Sequence, residues 1–396
     1  MSLDFQSIRQ QIKQLGKTAV IRERQLQRIR ELAIEILASN DQNLDNLHQK
    51  VQDVARNHDP SLRCALPLTE ALTASFPLPA LPDEMTVLAA DGSQITPDRH
   101  AEVNFAVINV GAIQMRRGTS DPPSTTTVSQ LLYDDLLYTS SGTISEARLA
   151  LMRDQSERTI LAELASEAPP PVVTFTDGPM ELWGGKAGDS QEIVEFQKSL
   201  KDYLNALTNL HDMNVITAGY VDKPSANLVV RTLEVAMTPQ SELSEIKTSR
   251  PLNRVTDIAL YRDLLPAGER SALFAMQSQS AKSYAGPLAL HFFYLNVGRP
   301  GAPYLARIEI PAWVAENQSM LDNLHATLIE QSRMMGTRPY PYLLHRAHET
   351  AVVSFQDKDQ VTQMIIQELR AQGLGIGELS SKQFAKQVEG RTRIKG

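Results

Sequence analysis

The sequence predicts an α/β protein with an N-terminal helical extension. From residue 85 onward, short β-branched runs alternate with longer segments of helical periodicity, the pattern of a sheet flanked by helices. Before residue 64 such runs are missing, and apolar residues recur every three or four positions. The chain has 396 residues, 42% of them apolar, which suits a large core and excludes wholesale disorder.

In chain order, residues 1–64 form the extension. Leu26, Ile29, Ala33 and Ile36 share one helix face, while Arg22, Arg24, Arg28 and Arg30 mostly occupy the rest of the surface. Such a stripe must pack on the main domain or on a partner subunit. Residues 65–84 read as a linker, since Pro67, Pro77, Pro79 and Pro82 crowd this stretch, with Pro60 just before it. Residues 85–372 form the main domain. Met85–Asp91, Glu102–Met115, Val172–Asp177, Val215–Val221, 272–278, 288–297 and 303–310 read as strands. Ser145–Ser166, Ser190–Leu210, Ser225–Met237, Asn317–Met335 and Asp357–Gln372 read as helices, and Ser120–Thr127 as a loop. Residues 373–396 read as a basic tail.

The single cysteine, Cys64, excludes an intrachain disulfide and a multi-cysteine metal site. No apolar run approaches the ~20 residues of a membrane helix, and no signal core follows Met1. A soluble, cytoplasmic protein without membrane contact is therefore expected. The formal net charge of −7 argues against a surface that grips duplex DNA all over. Positive charge is local, in the Arg-rich first helix and in Lys382, Lys386, Arg391, Arg393 and Lys395 of the tail.

Two segments resemble one another: Val87-Leu-Ala-Ala-Asp91-Gly92-Ser93 and Val173-Thr-Phe-Thr-Asp177-Gly178-Pro179. Each is an apolar strand that ends on Asp-Gly. A buried strand delivers its last side chain to the carboxyl edge of the sheet, where open α/β folds place their sites. Two such strands side by side would bring two carboxylates together, a costly arrangement unless a proton or metal is shared. Oxygen ligands of this kind suit Mg²⁺ or Mn²⁺. An Asp-Gly pair alone is an ordinary turn; the duplication points to a site.

Glu157 falls on the apolar face of its helix with Ala150, Ile160, Leu161 and Leu164, where an acid needs a partner. Arg153, four residues earlier, is the simplest one. Near the C-terminus His345, Arg346, His348 and Glu349 cluster after Tyr340-Pro-Tyr, ahead of the strand-like Thr350–Ser354. Histidine there is a candidate ligand for Mn²⁺. Ser93 follows Asp91 directly, but no base and orienting acid complete a nucleophilic triad.

In order and rough spacing these motifs resemble the NurA family of DNA-end-processing nucleases, from about residue 85 to 356. The matching residues are Ala90-Asp91-Gly92-Ser93, Glu157, Thr176-Asp177-Gly178 and Lys223 after Gly219-Tyr220-Val221. The segment Gly268-Glu269-Arg270-Ser271-Ala-Leu-Phe274 and the block Tyr340-Pro-Tyr-Leu-Leu-His-Arg-Ala-His348-Glu complete the set. Pro179 stands where the family pattern expects Ser or Ala.

The resemblance implies an RNase H-like (Piwi-like) mixed-sheet core flanked by helices. It implies a Mn²⁺-dependent nuclease, Mg²⁺ being the alternative, that degrades DNA 5′ to 3′ and cuts single-stranded ends. It further implies a homodimer working with a HerA-type hexameric ATPase in double-strand break processing. Carried over, Asp91, Asp177, Glu157 and His348 become the metal ligands, with Tyr340 beside them and Lys223 and Arg270 toward phosphate. Glu163 and His345 stay open as alternatives to Glu157 and His348. Two competing readings are a metal-dependent phosphatase on a small substrate and an inactive dimeric scaffold for the ATPase.

Overall fold

The computed structural model describes residues 3–98, 101, 103–139, 142–184 and 190–373. The expected basic tail, but for Gly373, lies outside the described residues. In chain order the structure runs through helices α1 (Phe5–Ser39) and α2 (Leu44–Asp53), then strands β1 (Cys64–Pro67), β2 (Ser75–Phe76), β3 (Met85–Ile95), β4 (Ala106–Arg117), β5 (Ser124–Leu132), β6 (Tyr138–Thr139) and β7 (Gly142–Thr143). Next come α3 (Glu146–Glu167), β8 (Val172–Asp177), α4 (Ser190–Asp212), β9 (Ile216–Val221), α5 (Leu228–Met237) and α6 (Asp257–Tyr261). The remainder is β10 (Arg270–Ser271), β11 (Phe274–Gln277), β12 (Leu290–Asn296), β13 (Leu305–Pro311), α7 (Ala312–Ala315), α8 (Gln318–Met334), α9 (Tyr342–Ala351) and α10 (Phe355–Ala371). No helix among the described residues is long and apolar enough to cross a membrane.

The chain divides into two compact units. One holds the residues up to Leu81, Gly178–Glu181 and Ala218–Tyr340; the other holds Pro82–Asp177, Leu182–Thr217 and the residues from Pro341 on.

In the first unit β1, β11, β12, β13 and β9 lie side by side, and β10 joins β12 to β2. The pairs β1–β11, β11–β12, β12–β13 and β13–β9 are all antiparallel. The stretch expected as a linker thus contributes β1, because Cys64 and Ala65 are apolar enough to be buried against β11. Aromatic rings fill the core: Phe274 stacks on Phe292 at 5.5 Å and Tyr261 on Tyr294 at 5.4 Å. Helix α1 opens on Asp4, whose carboxylate accepts from the Gln6 and Ser7 amides at 3.1 Å. It buries Ala33 and Leu37 at its far end.

In the second unit β5, β4 and β3 form an antiparallel meander, and β8 lies parallel to β3. Parallel neighbours need a long crossover, and α3 supplies it. It starts at Ser145, whose hydroxyl accepts from the Arg148 amide at 3.2 Å. A meander followed by a parallel strand gives the mixed sheet, flanked by helices, that the sequence predicts. Helix α3 packs on β3, β4 and β8, and α9 packs on β3 and β4. Helix α10 sets Val361 and Ile365 against Ile95, Phe105 and Val107.

Two expectations change here. The segment read as a loop at 120–127 is largely β5. Its polar side chains are exposed because it pairs only with β4, at an edge. The strand-like Thr350–Ser354 does not form a strand. Pro341 opens α9, which carries His345 and His348 and ends at Ala351.

Candidate active site

Asp91 sits on β3, and one carboxylate oxygen accepts from the Gly92 amide at 2.8 Å. The other meets His348 Nδ1 at 2.7 Å. The Asp91 side chain is 15% exposed and that of His348 60%, so the pair is anchored on the sheet and open to solvent.

The sheet fixes the helix that carries His348. The Ala351 carbonyl, at the end of α9, accepts from Ser93 Oγ at 2.5 Å and Asn109 Nδ2 at 2.8 Å. Asn109 Oδ1 in turn accepts from Ser129 Oγ at 2.6 Å. Gly111, opposite Asp91 in the β3–β4 register, allows the close approach. A Cβ there would stand 2.7 Å from the Ala351 nitrogen and 2.9 Å from the Ala347 oxygen.

The parallel register pairs Ala90 with Thr176, so the next residues along the two strands are Asp91 and Asp177. Side chains alternate between faces along a strand, so Asp91 and Asp177, each one residue beyond this pair, hold positions of the same parity on neighbouring strands. Asp177 is exposed at the end of β8. Thr176 points the other way, where its hydroxyl accepts from the buried Arg158 guanidinium at 2.7 Å. Arg158 also holds Thr217 at 2.7 Å.

Glu157 belongs to that opposite face. A Cβ on Gly92 would stand 2.8 Å from Glu157 Oε1 and 2.5 Å from Arg153 Cγ. Glu157 is only 4% exposed. Its closest cation is Arg153, 3.5 Å away, which also binds Asp154 at 2.8 and 3.2 Å. Burial holds the Glu157 carboxyl well above the usual range. The charges of Asp154 and then Asp91 add to this, and Arg153 and Arg158 oppose it. Asp154 is raised as well, chiefly by burial, with Arg153 opposing.

The four expected ligands thus divide about β3. Asp91, Asp177 and His348 share the α9 face, and Glu157 lies with Asp154 on the α3 face, within electrostatic reach of Asp91. Among the described residues no three His, Cys, Asp or Glu side chains form a ready-made metal cage. Of the open alternatives, Glu163 is exposed on α3, and His345 pairs with Glu349 at 3.5 Å.

Tyr340, Lys223 and Arg270 belong to the first unit. Tyr340 is half-buried, its ring edge-on to Tyr220 at 5.5 Å. Lys223 is exposed, with Nζ 5.0 Å from the Tyr304 ring centre. The resemblance sends Arg270 toward phosphate; the structure instead buries it. Arg270 is 1% exposed, bonds both Glu70 oxygens at 3.0 and 2.9 Å, and lies 3.8 Å from the Phe76 ring centre.

Asp154, Asn109 and Ser129 escaped the sequence reading. Asp154 had one usable signal: it precedes Glu157 by three positions, so the two share a helix face. Asn109 and Ser129 had none, since strand pairing alone brings them beneath α9.

A family model described as the NurA domain matches residues 85–353. The chain belongs to the NurA family. The NurA match runs from the start of β3 to just past α9, enclosing Asp91, Glu157, Asp177 and His348 and leaving out α1 and α2. A crystal structure of the NurA nuclease from Sulfolobus solfataricus resembles the chain at 11% identity, covering 83% of this chain and 92% of that one, with a TM-score of 0.49. A crystal structure of Drosophila Piwi does so at 10% identity, covering 67% of this chain and 29% of that one, with a TM-score of 0.28. Among curated proteins no match is found.

Proposed function

We propose that this NurA-family chain is a metal-dependent DNA nuclease of the cytoplasm. It would hydrolyse phosphodiester bonds 5′ to 3′ and in single-stranded ends during break processing, as a homodimer with a HerA-type hexameric ATPase. The observation that supports the reading is the contact of His348 with Asp91 at 2.7 Å, on a strand whose parallel register with β8 pairs Ala90 with Thr176, one residue before each Asp.

The residues suit a hard divalent cation in kind. They offer carboxylate oxygens and an imidazole nitrogen, and the Glu157 charge is opposed by those of Asp154 and Asp91. Asp91, Asp177 and His348 would hold the ion on the α9 face, and Glu157, the fourth expected ligand, would add its negative charge from across β3. Bound there, Mn²⁺ or Mg²⁺ would supply neutralising charge to the scissile phosphate and acidify the attacking water. His348 orients the Asp91 carboxylate through its Nδ1. Ser93 and Asn109 keep α9, and with it the imidazole, at a fixed distance from β3. Arg158 fixes Thr176 and thereby the backbone that presents Asp177. Arg153 screens the acids of α3 from one another while no cation is bound.

The test is digestion of end-labelled single- and double-stranded DNA with Mn²⁺, Mg²⁺ or EDTA. Wild type should cut with a divalent ion only, and Asp91→Ala should not cut. Identical digestion by both proteins overturns the proposal. Hydrolysis of small phosphomonoesters without action on DNA would identify a phosphatase instead.

A further inference from the structure

In the first unit a cavity of about 700 Å³ lies between the loop that follows β12 and the C-terminal end of α8. Three arginines line it, Arg262, Arg299 and Arg333, and no Asp or Glu does. In a chain with 46 acids against 39 Lys and Arg, this is a local reversal of sign. All three arginines are exposed. Arg299 donates to the Gly336 carbonyl and so ties the two rims together. Arg262 and Arg333 have no carboxylate at ion-pair distance among the described residues. The neighbouring Asp263 is engaged by Arg30, and Asp222 accepts from the Tyr304 hydroxyl.

A second observation points to a ligand. Ser332 lines the same cavity, is 1% exposed, and its hydroxyl has no hydrogen-bond partner among the described residues. A helical serine ordinarily bonds the carbonyl four residues back. A buried donor left unmade carries a free-energy penalty, so this hydroxyl favours an acceptor ligand. Arginine forks match phosphate oxygens in geometry and charge. The volume far exceeds a single phosphate, and the arginines line an open wall, as an extended polyanion requires. Tyr304 lines the cavity as well and brings Lys223 to its edge as a further cation.

We infer that this cavity binds phosphate groups of a nucleic-acid strand, with Arg262 and Arg333 as charged partners and Ser332 as neutral donor. The inference rests on the nuclease reading only in preferring a strand to a free phosphate.

The experiment measures binding in EDTA, by anisotropy of a labelled single-stranded oligonucleotide and by calorimetry with inorganic pyrophosphate. The variants are Arg262→Gln/Arg333→Gln, Ser332→Ala, and the charge-matched control Arg22→Gln/Arg24→Gln on the exposed part of α1. The cavity double variant should lose at least tenfold in DNA affinity. Its slope of log K against log salt should flatten by about 1.4, the share of two phosphates on a single strand. Ser332→Ala should weaken binding about threefold, while the melting temperature of the free protein rises rather than falls, since an unmade donor is removed. The inference falls if the cavity double variant binds DNA no worse than the control. It falls equally if that variant loses pyrophosphate alone, which would make this a free-phosphate site. Failure of wild type to cut DNA with metal would overturn the nuclease proposal and leave these binding results to be judged separately.

Discussion

Asp91 and His348 lie 257 positions apart in the chain, yet their side chains meet at 2.7 Å. Neither brings the other there. The meeting depends on α9 being pinned through one carbonyl, that of Ala351, by Ser93 from β3 and Asn109 from β4. A site residue on a short helix is thereby given the rigidity of the sheet.

Removing that pin should uncouple α9 from the sheet. Asn109→Ala deletes the donor to Ala351 and deprives Ser129 of its acceptor. It should destabilise the protein by ~1–3 kcal/mol. Cutting should slow about tenfold in kcat with little change in KM, because His348 loses orientation rather than substrate contact. Urea unfolding and initial rates on labelled DNA check both parts. An unchanged rate per folded molecule would mean that this pin does not position His348.

Two adjacent sheet positions should respond differently to one methyl group. At Gly111 the obstructing atoms are the backbone of α9, Ala351 N at 2.7 Å and Ala347 O at 2.9 Å, which cannot turn aside. Gly111→Ala should cost about 3 kcal/mol and lift α9 away from Asp91. At Gly92 the obstructing atoms belong to the side chains of Arg153 and Glu157. Gly92→Ala should cost about 1 kcal/mol. Thermal unfolding of the two variants side by side gives the comparison, and equal losses would contradict the account.

The sequence carried some of this arrangement and concealed the rest. The Asp-Gly pattern ends β8 at Asp177 as the sequence predicts, whereas β3 continues past Asp91 to Ile95 because Gly92–Ile95 go on pairing with β4. Glu157 was readable as an acid in an apolar stripe. Its separation from Asp91 by the plane of β3 was not, since that depends on the register of β3 against β4 and on which helix covers which face. Thr350–Ser354 reads as a strand because it is locally β-like, but tertiary packing on Gly111 decides for helix as far as Ala351. Strand β5 was hidden by its polar edge. Arg270 shows the opposite failure: its motif was found, but its partner Glu70 lies 200 positions away and nothing local announces the burial.

A buried histidine outside the proposed site should limit acid stability. His325 is 1% exposed on α8, and its Nε2 donates to the Gly268 carbonyl at 2.8 Å. Its Nδ1 has no hydrogen-bond partner among the described residues. Burial is the main cause that lowers its pKa to about 4, with the Arg270 charge adding to it and the Gly268 carbonyl opposing. The folded value thus lies below the ~6.5 of an unfolded histidine. The unfolded chain therefore binds the proton first as pH falls. The stability tied to neutral His325 is full above pH ~6.5 and drains away down to pH ~4, a loss of about 3 kcal/mol. His325→Gln cannot titrate, so its stability should fall by about that much less than wild type between these two pH values. Urea unfolding of both proteins at each pH measures the difference, and parallel losses would show that the imidazole does not charge on unfolding.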